Sequence, residues 1–378
     1  MKEFMDKDFL LETETAKHLF HDYSELMPLV DYHCHISPRE IFEDRRFNNL
    51  TEVWLGGKNP DGSYFGDHYK WRVMRSNGVP EDYITGDKSD YERYLKFVES
   101  LEMAIGNPMY HWCNLELRKF FGYGKPLTME TAEEAWNFCN DKLQHDPDLT
   151  VRGIIAKSNV AMVGTTDDPV DSLEWHSRIK ADESIRVKVC PSFRPDKAIN
   201  IQKEGFSEYI GKLAHSVGKE SLGSAREVID ALILRLEYFK AMGCRASDHG
   251  LDYVPFRPAA EEEVNLIFRK AVSGECITRE ETEKYQTALL LELGKAYHRL
   301  GIAMQIHYSC LRNSNARMFR KLGADTGFDV ITQNNCGAEI AAFLSALDET
   351  LVCRRISPDG EENYPGNLEV EFTAADGA

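Results

Sequence analysis

The 378-residue sequence predicts a parallel α/β fold, of the barrel kind, with its chemistry at the ends of the strands. Three observations lead there. Short β-like runs alternate with helical patterns, which is the signature of parallel α/β architecture. The first of those runs, Leu29–His33, ends in His33-Cys34-His35. The later runs also end in polar or titratable residues, where a barrel places its active site.

The first run sets the problem. Side chains two apart on a strand share a face, so the imidazoles of His33 and His35 would project the same way, about 7 Å apart. Two neutral imidazoles at that spacing can hold one divalent cation. The alternative is a pair of hydrogen-bonded core histidines, and the tripeptide alone does not separate the two. From Arg39 to Arg152 no convincing strand follows. Helix-like stretches at Tyr91–Ile105 and Thr128–Leu143 mark a mostly helical insertion. Its aromatic cluster (Trp54, Tyr64, Phe65, Tyr69, Trp71) either covers a cleft or packs a subdomain. His68 and Tyr69, side by side there, could exchange protons or sit on a basic-aromatic helix surface.

Five more runs follow, Val160–Gly164, Arg186–Cys190, Cys244–Ser247, Ala303–His307 and Asp329–Thr332. Between them, Ser224–Met242 and Thr282–Leu300 show broad apolar stripes at helical spacing. Asp168-Pro169 reads as a helix start, with aspartate as cap and proline at the first position. Arg194, held between Pro191 and Pro195, is placed where its fork could grip a carboxylate or pair with Asp196. Asp248 and His249 are adjacent, so one should face the site and the other pack. His307 closes an apolar strand, where a core role is commoner unless it joins His33 and His35.

Composition narrows the function. A formal net charge of -17 argues against nucleic acid and anionic membranes as partners. The nine cysteines form no C-x-x-C pair and read as scattered reduced thiols. The N-terminus shows no apolar leader and no run reaches membrane-helix length, so the expectation is a cytoplasmic protein acting on a small molecule.

Taken together, the segments DYHCHISP (31–38), GDHYKWRVMR (66–75), GNPMYHW (106–112), LELRKFF (115–121), GTTDDP (164–169), PSFRPDK (191–197), GCRASDHGL (243–251) and RNSNARMFRKLGADTGF (312–328) resemble the uronate isomerase family of the amidohydrolase superfamily. The resemblance implies a (β/α)8 TIM-type barrel with a helical insertion after strand 1. It implies reversible aldose–ketose isomerisation, D-glucuronate to D-fructuronate and D-galacturonate to D-tagaturonate. It casts His33 and His35 as metal ligands, with zinc the expected metal. His68, Tyr69, Asp248 and His307 become catalytic positions, and Arg194 the substrate-binding arginine. The organisation expected is 1–38 as N-terminal segment and first strand, 39–150 as insertion, 151–349 as strands 2–6 with helices, and 350–378 as an atypical tail. The family's last two strands, with their aspartate and arginine, find no counterpart after about Glu349. The expectation is therefore a truncated or frameshifted barrel. A homo-oligomer is compatible with this reading; a metal-dependent hydrolase and a non-catalytic remnant are its alternatives.

Overall fold

The computed structural model describes residues 4–59, 62–351 and 370–374. Six strands form one sheet: β1 (Leu29–Asp31), β2 (Val160–Asp167), β3 (Lys188–Phe193), β4 (Ala246–Gly250), β5 (Ala303–Tyr308) and β6 (Val370–Ala374). Their order in space is their order in the chain, and every pairing is parallel. A doubly wound sheet reverses order at a switch point. This one does not, so the chain winds in one sense, as along the arc of a barrel.

The helices between strands start and stop for local reasons. Ser224 caps Ala225–Met242 by accepting from the Glu227 amide, and Gly243, at φ 109°, ends it. Thr278 and Glu281 form a capping box at the head of Arg279–Leu300, which Gly301 closes at φ 59°. These two helices bury Leu232, Leu236, Phe239, Leu289, Leu293 and Tyr297 against Phe193, Met304 and Ile306 of the sheet. A separate core lies in the helices between β1 and β2, built on Trp54, Trp71, Tyr94, Phe97 and Leu101. There the packing reading of the aromatics holds for Trp54 and Trp71, whereas Tyr69 is 40% exposed.

Four sequence expectations need correction. The first strand stops at Asp31, so His33 and His35 follow it instead of lying on it. Asp329–Thr332 yields only Val330–Ile331, antiparallel to Cys310–Leu311 and outside the main sheet; two exposed apolar residues have no core face to hold them there. Asp168 caps no helix, since the next one begins at Glu174; its carboxylate accepts from the Val170 amide (3.1 Å) and the Tyr209 hydroxyl (2.7 Å). A proline at N1 does not overcome the turn that Asp168 closes locally. Finally, the expectation of no strand after about Glu349 fails at Val370–Ala374, which pairs with β5; its Val-Glu-Phe-Thr run has the β-branched and aromatic residues that strands favour. The rest of the 350–378 tail, apart from the helix end at Leu351, lies outside the described residues.

Candidate metal-binding site at the strand ends

The site forms where the C-terminal ends of β1, β3, β4 and β5 meet. Asp248 is its centre. It is fully buried on β4, and the adjacent His249 points the other way, toward Tyr297, with ring centroids 5.6 Å apart. Of that pair, then, Asp248 faces the site and His249 packs. Burial pushes the His249 imidazole down to about 3, so it stays neutral.

Three side chains surround Asp248. A terminal nitrogen of Arg194 donates to its Oδ2 at 2.9 Å. His33 Nδ1 lies 3.9 Å from Oδ2, and His307 Nε2 lies 3.4 Å from Oδ1. The His33 ring sits 4.7 Å from that of His307 and 5.1 Å, edge-on, from that of His35. His33, Asp248 and His307 offer ligand atoms that all lie within 4.8 Å of one another. His35 stands beside that group. Burial lowers the His33 and His35 pKa values, with further lowering from Arg194, which keeps both rings neutral and able to ligate at pH 7.

This donor set fits a divalent metal. His33 Nδ1 and Asp248 Oδ1 are buried and have no hydrogen-bond partner among the described residues, and such atoms are expensive to leave unsatisfied. Two imidazole nitrogens and a carboxylate oxygen suit a first-row divalent ion and leave positions open for a ligand.

Arg194 is doubly held. Its Nε donates to Asp196 Oδ2 at 2.9 Å, while Asp196 Oδ1 accepts from the Gly250 amide at 2.9 Å. The pairing with Asp196 is thus realised, and the same arginine also reaches Asp248 in the site. Burial opposes its charge, but Asp196 and Asp248 outweigh burial and raise its pKa.

The insertion supplies His68 and Tyr69 at the start of helix His68–Ser76, which Asp67 caps by accepting from the Tyr69 and Lys70 amides. Their rings stand 4.4 Å apart. Burial lowers the His68 pKa, against the raising effect of the Asp325 and Asp329 charges. The charge of Asp325 also raises the Arg194 pKa.

Sequence reasoning missed the residues that hold the two histidines. Cys34, between them, donates its amide to the Gly164 carbonyl at 2.8 Å and accepts at its own carbonyl from the Thr166 hydroxyl at 3.1 Å. A side chain at Gly164 would place its first carbon 2.3 Å from the Tyr32 carbonyl oxygen. The signal was present in the GTTDDP segment, where a strand glycine marks a close backbone approach.

Comparisons with known proteins agree with this geometry. The glucuronate isomerase family model matches residues 1–357. The uronate isomerase of Lachnospira eligens is 53% identical over 350 residues, covering 93% of this chain and 72% of that protein. That of Clostridium acetobutylicum is 49% identical over 349 residues, covering 92% and 72%. Among solved structures, the uronate isomerase of Thermotoga maritima superposes with a TM-score of 0.86 at 32% identity, covering 99% of this chain and 76% of that one. The glucuronate isomerase of Caulobacter crescentus gives 0.81 at 23% identity and supports the fold alone. No helix among the described residues is long and apolar enough to cross a membrane. With the family model spanning nearly the whole described chain and relatives at about half identity, this chain belongs to the uronate isomerase family, whose members are aldose–ketose isomerases.

Proposed function

We propose that this chain interconverts D-glucuronate with D-fructuronate, and D-galacturonate with D-tagaturonate, in the cytoplasm and with a divalent metal, zinc, at the strand ends. The observation that carries the reading is Asp248, a fully buried carboxylate shared by Arg194, His33 and His307. The sheet is taken as an arc of a (β/α)8 barrel, and residues 39–150 as the insertion that covers its mouth.

Aldose–ketose isomerisation moves a proton between C2 and C1 through a cis-enediol, with a compensating transfer between the oxygens. The substrate carboxylate needs a cation, and Arg194 can supply one. Asp196 and Asp248 hold its Nε and one terminal nitrogen, and its second terminal nitrogen makes no protein hydrogen bond among the described residues. His33 and Asp248 would hold the metal, with His307 in the same group and His35 beside it. When bound, that ion would stabilise negative charge on the substrate oxygens. Asp248 and His307 are the acid–base groups nearest the reacting carbons in this reading. His68 and Tyr69, offered by the insertion, would donate to or accept from the sugar oxygens. Burial keeps the His68 ring neutral near pH 7, a form that both donates and accepts.

The test is direct. The metal-loaded protein, incubated with D-glucuronate, should form the ketose D-fructuronate, and His33→Ala should abolish it together with metal binding. Ketose formation by a His33→Ala protein that holds no metal, or none by fully loaded wild type, would refute the reading.

A further inference from the structure

The chain between β5 and the helix Gly337–Leu351 makes an excursion that a simple strand-to-helix turn does not need. It leaves the sheet at Ser309, directly after the His307-bearing strand, and Thr332 returns to donate its amide to the Ser309 carbonyl at 2.9 Å. Between them lie the ribbon Cys310–Leu311 with Val330–Ile331 and the helix Ala316–Leu322. Asp329 ties the excursion to itself, accepting from the Asn313 amide at 2.8 Å and from Arg312 at 2.9 Å.

The far side of this excursion is fastened to the helix that carries His68 and Tyr69. Arg72 donates to the Asp329 carbonyl at 2.9 Å, and Arg75 donates to the Thr326 carbonyl. The Arg75 guanidinium also lies 4.3 Å from the centre of the Phe328 ring and holds Glu81 through two bonds of 2.9 and 2.7 Å. Gly327, at φ 89°, passes so close that a side chain there would begin 2.7 Å from the His68 carbonyl oxygen and 2.8 Å from Arg75. Two backbones meet with no room for a methyl group.

We infer that residues 309–332 are a clasp between the His307 strand and the insertion, in which Gly327 and Arg75 are positioning residues that set where His68 and Tyr69 stand over the site. The inference rests on the proposed role of His68 and Tyr69 in the isomerisation. Packing alone would be served by apolar contact; here one terminal nitrogen each of Arg72 and Arg75 bonds a backbone carbonyl while the Nε and other terminal nitrogen of Arg75 grip Glu81, a geometry that fixes orientation as well as distance. The clasp also brings Asp325 to where its charge reaches both His68 and Arg194. A helix start displaced by about 1 Å would cost on the order of a hundredfold in rate.

The test uses the metal-loaded full chain with Gly327→Ala and Arg75→Lys, with His68→Asn for reference. Both clasp variants should lose tenfold or more in kcat on D-glucuronate, with KM and Co2+ affinity (by chelator competition) within about threefold of wild type, since Arg194 and the metal residues are untouched. Independently of turnover, the His68 ring, followed by NMR in Gly327→Ala, should titrate closer to its ordinary value as the clasp lifts. Arg75→Lys keeps the charge and loses only the fork, so it decides the matter if Gly327→Ala does not fold. Wild-type kcat and an unmoved His68 titration in a folded variant would overturn the clasp, while leaving the proposed function intact if His68→Asn is inactive. Full activity of His68→Asn would overturn the role of His68 and the clasp with it.

Discussion

Gly164→Ala should cripple metal binding from a position that touches no ligand. The added methyl carbon would lie 2.3 Å from the Tyr32 carbonyl oxygen and 2.7 Å from the carbonyl carbon. Ordinary contact begins at 3.4 Å, so the chain after β1 must retreat by about 1.1 Å, the difference between 3.4 and 2.3 Å. Neither partner is a flexible side-chain end; both are backbone. The retreat also strains the 2.8 Å bond from the Cys34 amide to the Gly164 carbonyl and the 3.1 Å bond from Thr166 to Cys34. Those bonds bracket the residue between His33 and His35. Loss of such supporting contacts lowers metal affinity by roughly 10–100-fold, and overpacking should cost about 1–3 kcal/mol of stability. The assay is Co2+ titration against a competing chelator, with thermal melting alongside. Gly211→Ala is the control: its added carbon would meet nothing within 4 Å, inside the helix Phe206–Ser216. It should leave affinity unchanged and raise stability by up to about 1 kcal/mol. Metal affinity within threefold of wild type in a folded Gly164→Ala protein would refute the reasoning.

Two further predictions concern buried carboxylates. Asp248→Asn keeps the shape but removes the charge that Arg194 and both imidazoles face, so metal affinity should fall tenfold or more; unchanged stoichiometry and affinity by metal analysis would contradict it. Asp167 is raised by burial from 3.8 to about 6, so the fold favours its neutral form. Its folded pKa lies above the unfolded one, so stability falls as pH rises through that interval and stays lower above it. Asp167→Asn mimics the neutral acid and should stabilise more at pH 8 than at pH 5, by roughly 1 kcal/mol. Equal shifts of the denaturation midpoint at the two pH values would count against the assignment.

What the sequence disclosed and what it hid follow from the range of the forces involved. Ser224 and Gly243, or Thr278, Glu281 and Gly301, are local signals, and the helices they bound stand where those residues put them. Five of the six expected runs became strands of the main sheet, because each is an apolar or β-branched stretch flanked by punctuation. Their ends shifted toward the chemistry: β2 runs on to Asp167, β3 to Phe193 and β4 to Gly250. Asp329–Thr332 misled because a short apolar run does not say whether a core awaits it. His307 reads as a core histidine unless it clusters with His33 and His35, and its ring does stand 4.7 Å from that of His33. The partners of Cys34, signalled only by the strand glycine of GTTDDP, and the docking of Gly327 on His68 are hard to read for another reason. Each is a contact between segments more than a hundred residues apart in which the informative residue is a glycine.

The two oxygens of Asp248 explain how one carboxylate can serve an arginine and a metal together. Oδ2 accepts from Arg194 at 2.9 Å, a charge-assisted bond that fixes the rotation of the carboxylate. Oδ1 is thereby turned toward His307, 3.4 Å away, and is left without a hydrogen bond although buried. Were Arg194 to bind a substrate carboxylate with the nitrogen that now holds Asp248, the carboxylate would lose its orientation just when the site needed it. Asp196 prevents that exchange by anchoring Nε and, through Gly250, the end of β4 itself. A side chain at Gly250 would begin 2.8 Å from the second terminal nitrogen of Arg194, so the glycine leaves that nitrogen room. In the proposed reaction, substrate recognition and metal orientation would run through different nitrogens of one guanidinium, which a lysine at position 194, with its single ammonium, could not divide.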